Sequence, residues 1–301
     1  MGNKQFRDED LTHLYNQNNV IEIDSCVCCG GNSINSWCKN AFPASQCGDC
    51  GFVFMNPQLD NSGLNDYYHN YLSKRRTNNF KKMEQRAIQY EQDAQVLFDR
   101  GVVSGKLLDI GCNGGFFLNS LGNKFDRYGT EIDPEAVEFC KNNFSDISKN
   151  VFNGLLEEAK FENSSFDVVT MRGVIEHVPN PTATLSEVTR ILKPGGILFI
   201  CATPNVDSVA ADHYRDNWSL FHPVQHLWHF SPQTLSRLAS KYNFRLEWQE
   251  FPYCGTPYED FMSDLAKFAT DMESANATTE NIVSPPFFGS MMSLVFRKVD
   301  K

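Results

Sequence analysis

Apolar positions along the chain fall into two rhythms. Phe80, Met83, Ala87, Tyr90, Ala94 and Leu97 recur at spacings of three and four, which predicts one amphipathic helix with a single buried stripe. The pattern is too short to favour a coiled-coil dimer. Beyond Gly101 and Gly105 the rhythm changes. Leu107 to Ile110 is a short apolar run containing the carboxylate Asp109, as a buried strand would show. A glycine-dense turn follows, and Phe116, Phe117, Leu118 and Leu121 begin a helix. A second strand ends at Glu131 in YGTEID. Asp133-Pro134 is an N-cap followed by an N1 proline for a helix to about Asn143. Further strands are predicted near Val151-Phe152, over Ser165 to Met171, and over Ile197 to Ala202. Between the last two, Asn180-Pro181 opens a helix with Leu185, Val188 and Leu192 inside, and Lys193-Pro194-Gly195-Gly196 stops it. Ser231-Pro232 opens another helix, and strands over Phe244 to Phe251 and Ser290 to Arg297 complete the series. Residues 255–288 read as an insertion, helical around Phe261 to Met272.

Strands alternating with helices at this pace predict an α/β fold with a largely parallel sheet covered on both faces. The expected division is residues 1–75, a small N-terminal module and connector, and residues 76–301, the main domain with the 255–288 insertion. Residues 1–20 are polar. The segment 60–75 carries Tyr67, Tyr68 and Tyr71 in a polar setting and suits a connector or a lid.

The 301 residues carry 27 basic and 37 acidic side chains, a formal net charge of −10. Nucleic acid is therefore disfavoured as a partner, since phosphate contacts need clustered Lys and Arg. The densest basic run, Lys74-Arg75-Arg76 with Lys81-Lys82, reads as a solvated helix face. No apolar run reaches the length of a membrane span, and the polar N-terminus is unlike a signal peptide. A cytoplasmic location with reduced cysteines is expected.

Six of the ten cysteines lie between Cys26 and Cys50. Cys26-x2-Cys29 and Cys47-x2-Cys50 have the spacing of a zinc ribbon, two tight turns that aim four thiolates at one ion. Gly30, Gly31, Gly48 and Gly51 supply the conformational freedom such turns require. A redox dithiol or plain buried cysteines are the alternatives, and Cys28 competes with Cys29 as a ligand. With four protein ligands the site would be closed and structural. Cys112, Cys140, Cys201 and Cys254 stand singly and read as small core residues.

The turn after the Leu107–Ile110 strand discriminates between nucleotide ligands. A phosphate-cradling loop needs Lys-Ser or Lys-Thr after its glycines, where Phe116-Phe117 stands here. A dinucleotide fingerprint needs glycine where Asn113 and Phe116 stand. What remains is D-x-G-x-x-x-G, from Asp109, Gly111 and Gly115, with Glu131 about twenty residues on. That suits a ligand with no phosphate, ribose hydroxyls for the acid and an ammonium group.

The series LLDIGCNGGFFL, YGTEIDPEAVEFC, SFDVVTMRGVIEHVPNPTATLSEVTRILKPGG and LFICATPN resembles the class I S-adenosylmethionine (SAM)-dependent methyltransferases over residues 105–205. The resemblance implies a Rossmann-like seven-stranded sheet with a reversed final hairpin. It also implies that Asp109, Gly111, Asn113 and Gly115 line the methionine and ribose end of the cofactor. Glu131 would hold the ribose diol, Ile132, Leu155 and Leu156 the adenine, and Met171 and Arg172 would lie beside the sulfonium. The sequence departs from the family pattern at Asn113, usually glycine, and at Leu155, often acidic. The cysteine module followed by GFVFMNP resembles the zinc-containing methyltransferases of deoxysugar and surface-glycan biosynthesis. This implies a sugar-like small-molecule acceptor and structural zinc; a monomer or homodimer is expected.

His222, His226 and His229 fall within HPVQHLWHFSP, beyond the strand that leads to Thr203-Pro204-Asn205 and so at the carboxyl edge where α/β enzymes bind substrate. The segment resembles one in the sugar methyltransferases whose histidine is the proposed base, which points to His226; packing or capping is the alternative. His177, in EHV, reads as structural. Tyr67, Tyr68, Tyr214, Trp218 and Trp228 are either walls for a sugar or buried packing. An RNA methyltransferase using the ribbon as a grip and a non-catalytic SAM-binding protein are the rival functions.

Overall fold

The computed structural model describes residues 19–38, 42–67, 80–273 and 283–300. The expected boundary near residue 75, the N-terminal residues 1–18, Tyr68, Tyr71 and the run Lys74–Arg76 lie outside them. In chain order the elements are β1 (Val20–Ile21), β2 (Ile34–Cys38), β3 (Ala44–Cys47), β4 (Val53–Met55), β5 (Gln58–Leu59), α1 (Asn61–Tyr67), α2 (Phe80–Asp99) and β6 (Gly105–Ile110). There follow α3 (Phe116–Ser120), β7 (Phe125–Glu131), α4 (Pro134–Asn143), β8 (Val151–Asn153), β9 (Phe166–Arg172), α5 (Pro181–Ile191) and β10 (Leu192–Pro204). The last are α6 (Val209–Tyr214), β11 (Trp228–His229), α7 (Pro232–Ser240), β12 (Phe244–Glu250), α8 (Phe261–Glu273) and β13 (Met291–Lys298).

One seven-stranded sheet has the order β12-β13-β10-β9-β6-β7-β8. Only β13 runs against its neighbours, pairing antiparallel with β10 and β12. The centre of the sheet is β6, β9 and β10, whose side chains are buried on both faces, which is why these segments read as continuous apolar runs. The helix starts follow the caps in the sequence. Asp133 accepts from the Glu135 and Ala136 N–H groups ahead of α4, Asn180 from Ala183 ahead of α5, and Ser231 from Thr234 ahead of α7.

Two elements differ from expectation. The helix begun at Phe116 ends after Ser120, and Gly122 then adopts φ +68°. Strand β10 starts at Leu192 rather than Ile197, and its register shifts between Ile200 and Thr203, with Ala202 at φ +53°. That bulge sits at the carboxyl end of the central strand.

A second sheet has the order β11-β4-β3-β2. Its outer strand β11 lies about 175 residues downstream of the rest, with Trp228 opposite Phe54 and His229 opposite Val53. Further bonds fasten the same joint: Met55 N–H and the Gln58 amide both donate to the Leu227 carbonyl. Phe52 packs against Trp228 and Phe230, with ring centroids 6.0 and 5.0 Å away. The cysteine-rich segment is thereby built onto the histidine-bearing loop. No described helix is long and apolar enough to cross a membrane.

Candidate active site

At the carboxyl end of β6 the backbone turns through Gly111 (φ +70°), Asn113 (φ +48°) and Gly115 (φ +81°). A side chain at Gly111 would place its Cβ 2.7 Å from Val174 Cγ2, so glycine is required there on two counts. Asn113 tolerates its left-handed backbone because its Oδ1 accepts from the Gly114 N–H at 2.7 Å, which accounts for asparagine where glycine is usual. Glu131, at the end of β7, accepts from the Asn113 N–H (2.8 Å) and the Asp133 N–H (2.9 Å). The acid therefore ties the glycine turn of β6 to the start of α4. Beside it, Ile132 and Leu155 are 49% and 51% exposed, two apolar side chains flanking a carboxylate at the sheet edge. Leu156 is buried in the core instead. A flat ring with an attached diol fits this surface: apolar faces for the ring, a carboxylate for the hydroxyls.

Asp109 lies deeper, with Thr170 Oγ1 donating to it at 2.6 Å, and burial pushes its carboxyl up to about 7. Met171 is fully buried in the sheet core. Arg172 Nε donates to Asp93 Oδ2 at 2.6 Å, and its guanidinium lies 4.4 Å from the centre of the Tyr90 ring. Both partners come from α2, so the helix foreseen from its apolar stripe clamps the end of β9.

The histidines of HPVQHLWHFSP meet across the end of the sheet. The His222 and His226 ring centroids are 4.9 Å apart, and those of His226 and His229 6.3 Å. His177, read from sequence as structural, joins them with its ring 4.7 Å from His226. Glu176, which the sequence reading passed over, brings a carboxylate: one ligand atom each from Glu176, His177 and His226 lie within 4.8 Å of one another. His226 Nδ1 faces the Leu220 carbonyl and His177 Nδ1 the Gln225 carbonyl, both at 2.9 Å. A carbonyl only accepts, so Nδ1 carries the proton in each ring and Nε2 holds the lone pair. His229 has neither ring nitrogen bonded among the described residues, although it is buried. Of the aromatic candidates, Tyr67, Tyr214, Trp218 and Trp228 are buried; Tyr68 lies outside the described residues.

Burial sets the charges here. It holds His177 down to about 4 and His229 to about 3, helped at His229 by His222, and it lowers His226 with the aid of the neighbouring imidazoles. It raises Glu176 to about 8. Unfolding lets the three imidazoles take up protons below about 6.5, so that stability falls with pH on the acid side. Asp109 and Glu176 hold protons that the unfolded chain has released above about 4.5, so that stability falls as pH rises towards 8. Three groups outweigh two between about 4.5 and 6.5, each worth roughly 1.4 kcal/mol per pH unit. Stability is therefore expected to peak near pH 6.5, and melting temperatures rising steadily from pH 5 to 8 would contradict this.

Cys26, Cys29, Cys47 and Cys50 converge, their sulfurs all within 4.8 Å of one another. The Cys26–Cys50 and Cys29–Cys47 sulfurs are 3.6 and 3.5 Å apart. A disulfide needs about 2 Å. The edge of a tetrahedron around an ion with bonds of about 2.3 Å is about 3.8 Å, so the donor set fits a tetrahedral thiophilic ion. Each half has the form C-x-x-C-G, with Gly30 at φ +82° and Gly51 at φ +78°. In each, the glycine N–H donates to the carbonyl of the first cysteine, at 2.6 and 2.8 Å. Burial raises the Cys26 and Cys50 thiols. At Cys29 burial also acts upward but is outweighed by hydrogen bonds from Gly31 N–H and nearby thiols, and the net shift is down. Cys28 is not one of the converging four; its thiol donates to the Thr234 carbonyl at 3.3 Å. Of the four single cysteines, Cys254 is exposed, contrary to the core reading, because it lies in the loop after β12; the other three are buried.

A glycine turn pinned to an acid at the carboxyl edge of a seven-stranded sheet whose last strand is reversed defines a class I methyltransferase. Residues 80–249, more than half of the chain, match the family model described as Methyltransferase domain. The chain belongs to this family and is a SAM-dependent enzyme.

Among curated proteins it is 35% identical over 104 residues to a ubiquinone biosynthesis O-methyltransferase of Xanthomonas oryzae pv. oryzae, covering 33% of this chain and 43% of that one. It is 29% identical over 149 residues to the enzyme so named in Idiomarina loihiensis, covering 46% and 61%. The chain thus spans less than two thirds of the length of these relatives. Among solved structures, the YcgJ protein from Bacillus subtilis superposes with a TM-score of 0.51 at 18% identity, over 70% of this chain and 99% of that one. Geranyl diphosphate C-methyltransferase from Streptomyces coelicolor A3(2) gives 0.50 at 14% identity, over 69% and 77%. At these identities the likeness is one of fold.

Proposed function

We propose that this enzyme methylates a small polar acceptor, a sugar or nucleotide-linked sugar, with His226 as general base and zinc in the four-cysteine site. The observation that carries the reading is His226 itself. Its ring is oriented by the Leu220 carbonyl, its Nε2 holds a lone pair, and three further imidazoles and Glu176 surround it. SAM supplies an electrophilic methyl group on a sulfonium. Glu131 fixes the glycine turn and would hold the ribose diol, Ile132 and Leu155 would line the adenine, and the turn from Gly111 to Gly115 would admit the ligand backbone-close. Asp109 and Asn113 complete the pocket, with Met171 and Arg172 at its inner end. His226 Nε2 would take the acceptor proton as the acceptor atom bonds to the methyl carbon and the carbon–sulfur bond breaks, with S-adenosylhomocysteine as the leaving group. Burial keeps the imidazole unprotonated at neutral pH at a cost in basicity, and the closed surroundings keep water from competing. The unbonded His229 nitrogens leave hydrogen-bonding capacity that a hydroxyl-rich acceptor can meet.

The curated relatives act in ubiquinone biosynthesis by name, but their similarity covers less than half of this chain. A sugar-like acceptor is preferred over a nucleic acid because the net charge is −10. The division into a cysteine module over residues 1–75 and a methyltransferase domain over 76–301 belongs to the same proposal.

His226→Ala is expected to lower turnover by about 10²–10⁴-fold while SAM affinity stays within about twofold. Isothermal calorimetry and methyl-transfer assays read the two separately. Unaltered turnover would remove His226 from the mechanism.

A further inference from the structure

A cleft of about 390 Å³ opens between the four-stranded sheet and the segment that follows β10. Trp37 of β2 and Gln46 of β3 line one side; Asp207, Val209, Asp212 and Arg215 line the other. Its volume is at the small end of the range for sites that take small molecules. Three features mark it as more than a surface irregularity.

The first is backbone strain. Arg215 adopts φ +49°, ψ −119°, a conformation that costs a non-glycine residue of order 1–3 kcal/mol. This backbone places its guanidinium 5.3 Å from the centre of the Trp37 ring, where it also donates to Asp212 at 2.6 Å. The second is the aromatic file behind the cleft. Trp37 stacks on His229, centroids 6.3 Å apart at an interplanar angle of 15°, and the His229 ring is 6.3 Å from that of His226. The third is the polar composition. Two carboxylates and a carboxamide against one guanidinium accept hydrogen bonds readily but leave no surplus positive charge for phosphate.

An aromatic platform ringed by carboxylates, an amide and a paired arginine recognises a neutral, hydroxyl-rich ring. Its apolar face packs on the indole and its hydroxyls donate to the carboxylates. We infer that this cleft is an outer subsite for a neutral saccharide ring, linked to the reacting centre through the packed rings His226–His229–Trp37. The inference rests on the sugar reading of the acceptor. It adds that the acceptor carries a second, unreacted sugar ring held by Trp37, Asp207, Asp212 and Arg215. Such remote contacts lower the concentration of acceptor required and help hold the reacting unit in place.

The test is binding of the intact protein to an array of defined neutral mono- to trisaccharides, followed by saturation-transfer NMR on those bound. At least one neutral di- or trisaccharide is expected to bind. Trp37→Ala, and separately the exposed Asp212→Asn, should weaken that binding tenfold or more, and Trp37→Phe should restore most of it. The Asp212 change tests the subsite even if Trp37→Ala misfolds. Absence of any bound neutral saccharide, preference for a free nucleoside diphosphate, or binding indifferent to Trp37 and Asp212 would each overturn the inference. Methyl transfer to a single-ring sugar that persists undiminished in Trp37→Ala and Asp212→Asn would overturn the subsite alone only if their binding to the longer saccharide were also undiminished; it would leave the proposed function standing.

Discussion

Removing zinc from the proposed four-cysteine site, or replacing Cys47 by Ser, is expected to cut turnover by about a hundredfold or more although none of these cysteines belongs to the proposed acceptor site. The reason is the joint between β4 and β11. His229 is paired in register with Val53, and Trp228 with Phe54. A closed tetrathiolate site supplies about 10–16 kcal/mol of folding free energy in small zinc modules, and here its two turns carry the strands that meet β11. Without the ion the C-x-x-C-G turns open, β4 loses its frame, and the histidine loop loses its neighbour. Displacements of about 1 Å in a catalytic group are enough for a hundredfold loss. The proposed SAM pocket, at the ends of β6 and β7 and the start of α4, should be unaffected. Chelation should therefore abolish methyl transfer with SAM affinity changed by less than about threefold. Elemental analysis of freshly purified protein should return about one zinc per chain. Turnover that survives complete removal of the metal would refute the coupling.

Replacing Glu131 by Ala is expected to do the reverse, weakening SAM binding by about a hundredfold. A charge-assisted hydrogen bond contributes about 1.5–3 kcal/mol; Glu131 holds the Asn113 and Asp133 N–H groups, and on the proposed reading it also bonds the ribose diol. Losing the carboxylate removes both the ligand contact and the tie between turn and helix. Glu131→Gln should fall between the two, because the amide can still accept but carries no charge. Calorimetric titration with SAM reads the effect, and circular dichroism checks that the sheet persists. A change below about threefold in Glu131→Ala would place the ribose elsewhere.

Much of this was legible from sequence because the signals are local. The spacing Cys26-x2-Cys29 and Cys47-x2-Cys50, the turn from Gly111 to Gly115, Glu131 and the caps at Asp133, Asn180 and Ser231 each declare themselves within a few residues. What stayed hidden is non-local. Strand β11 has two residues, too few for a periodic pattern, and its partner lies about 175 residues away. Nothing in HPVQHLWHFSP says that it closes a sheet with the cysteine module. Glu176 and His177 sit in an ordinary turn after β9, and only the fold brings them to His226. Trp37 lies among polar neighbours and gave no aromatic stripe; its place in a cleft depends on a strained arginine far along the chain. A useful signal was nonetheless present, since Glu176-His177 stands at the carboxyl end of a buried strand, where α/β enzymes place their chemistry.

The most direct measurement follows a radiolabelled methyl group from SAM into neutral sugars and nucleotide-linked sugars, with wild-type enzyme and His226→Ala side by side. Label should enter one of these sugars with wild-type enzyme and fall by at least about a hundredfold in His226→Ala, at matched SAM affinity. Label that enters a phenolic or nucleic-acid acceptor instead, or enters a sugar equally well without His226, would contradict the proposed function.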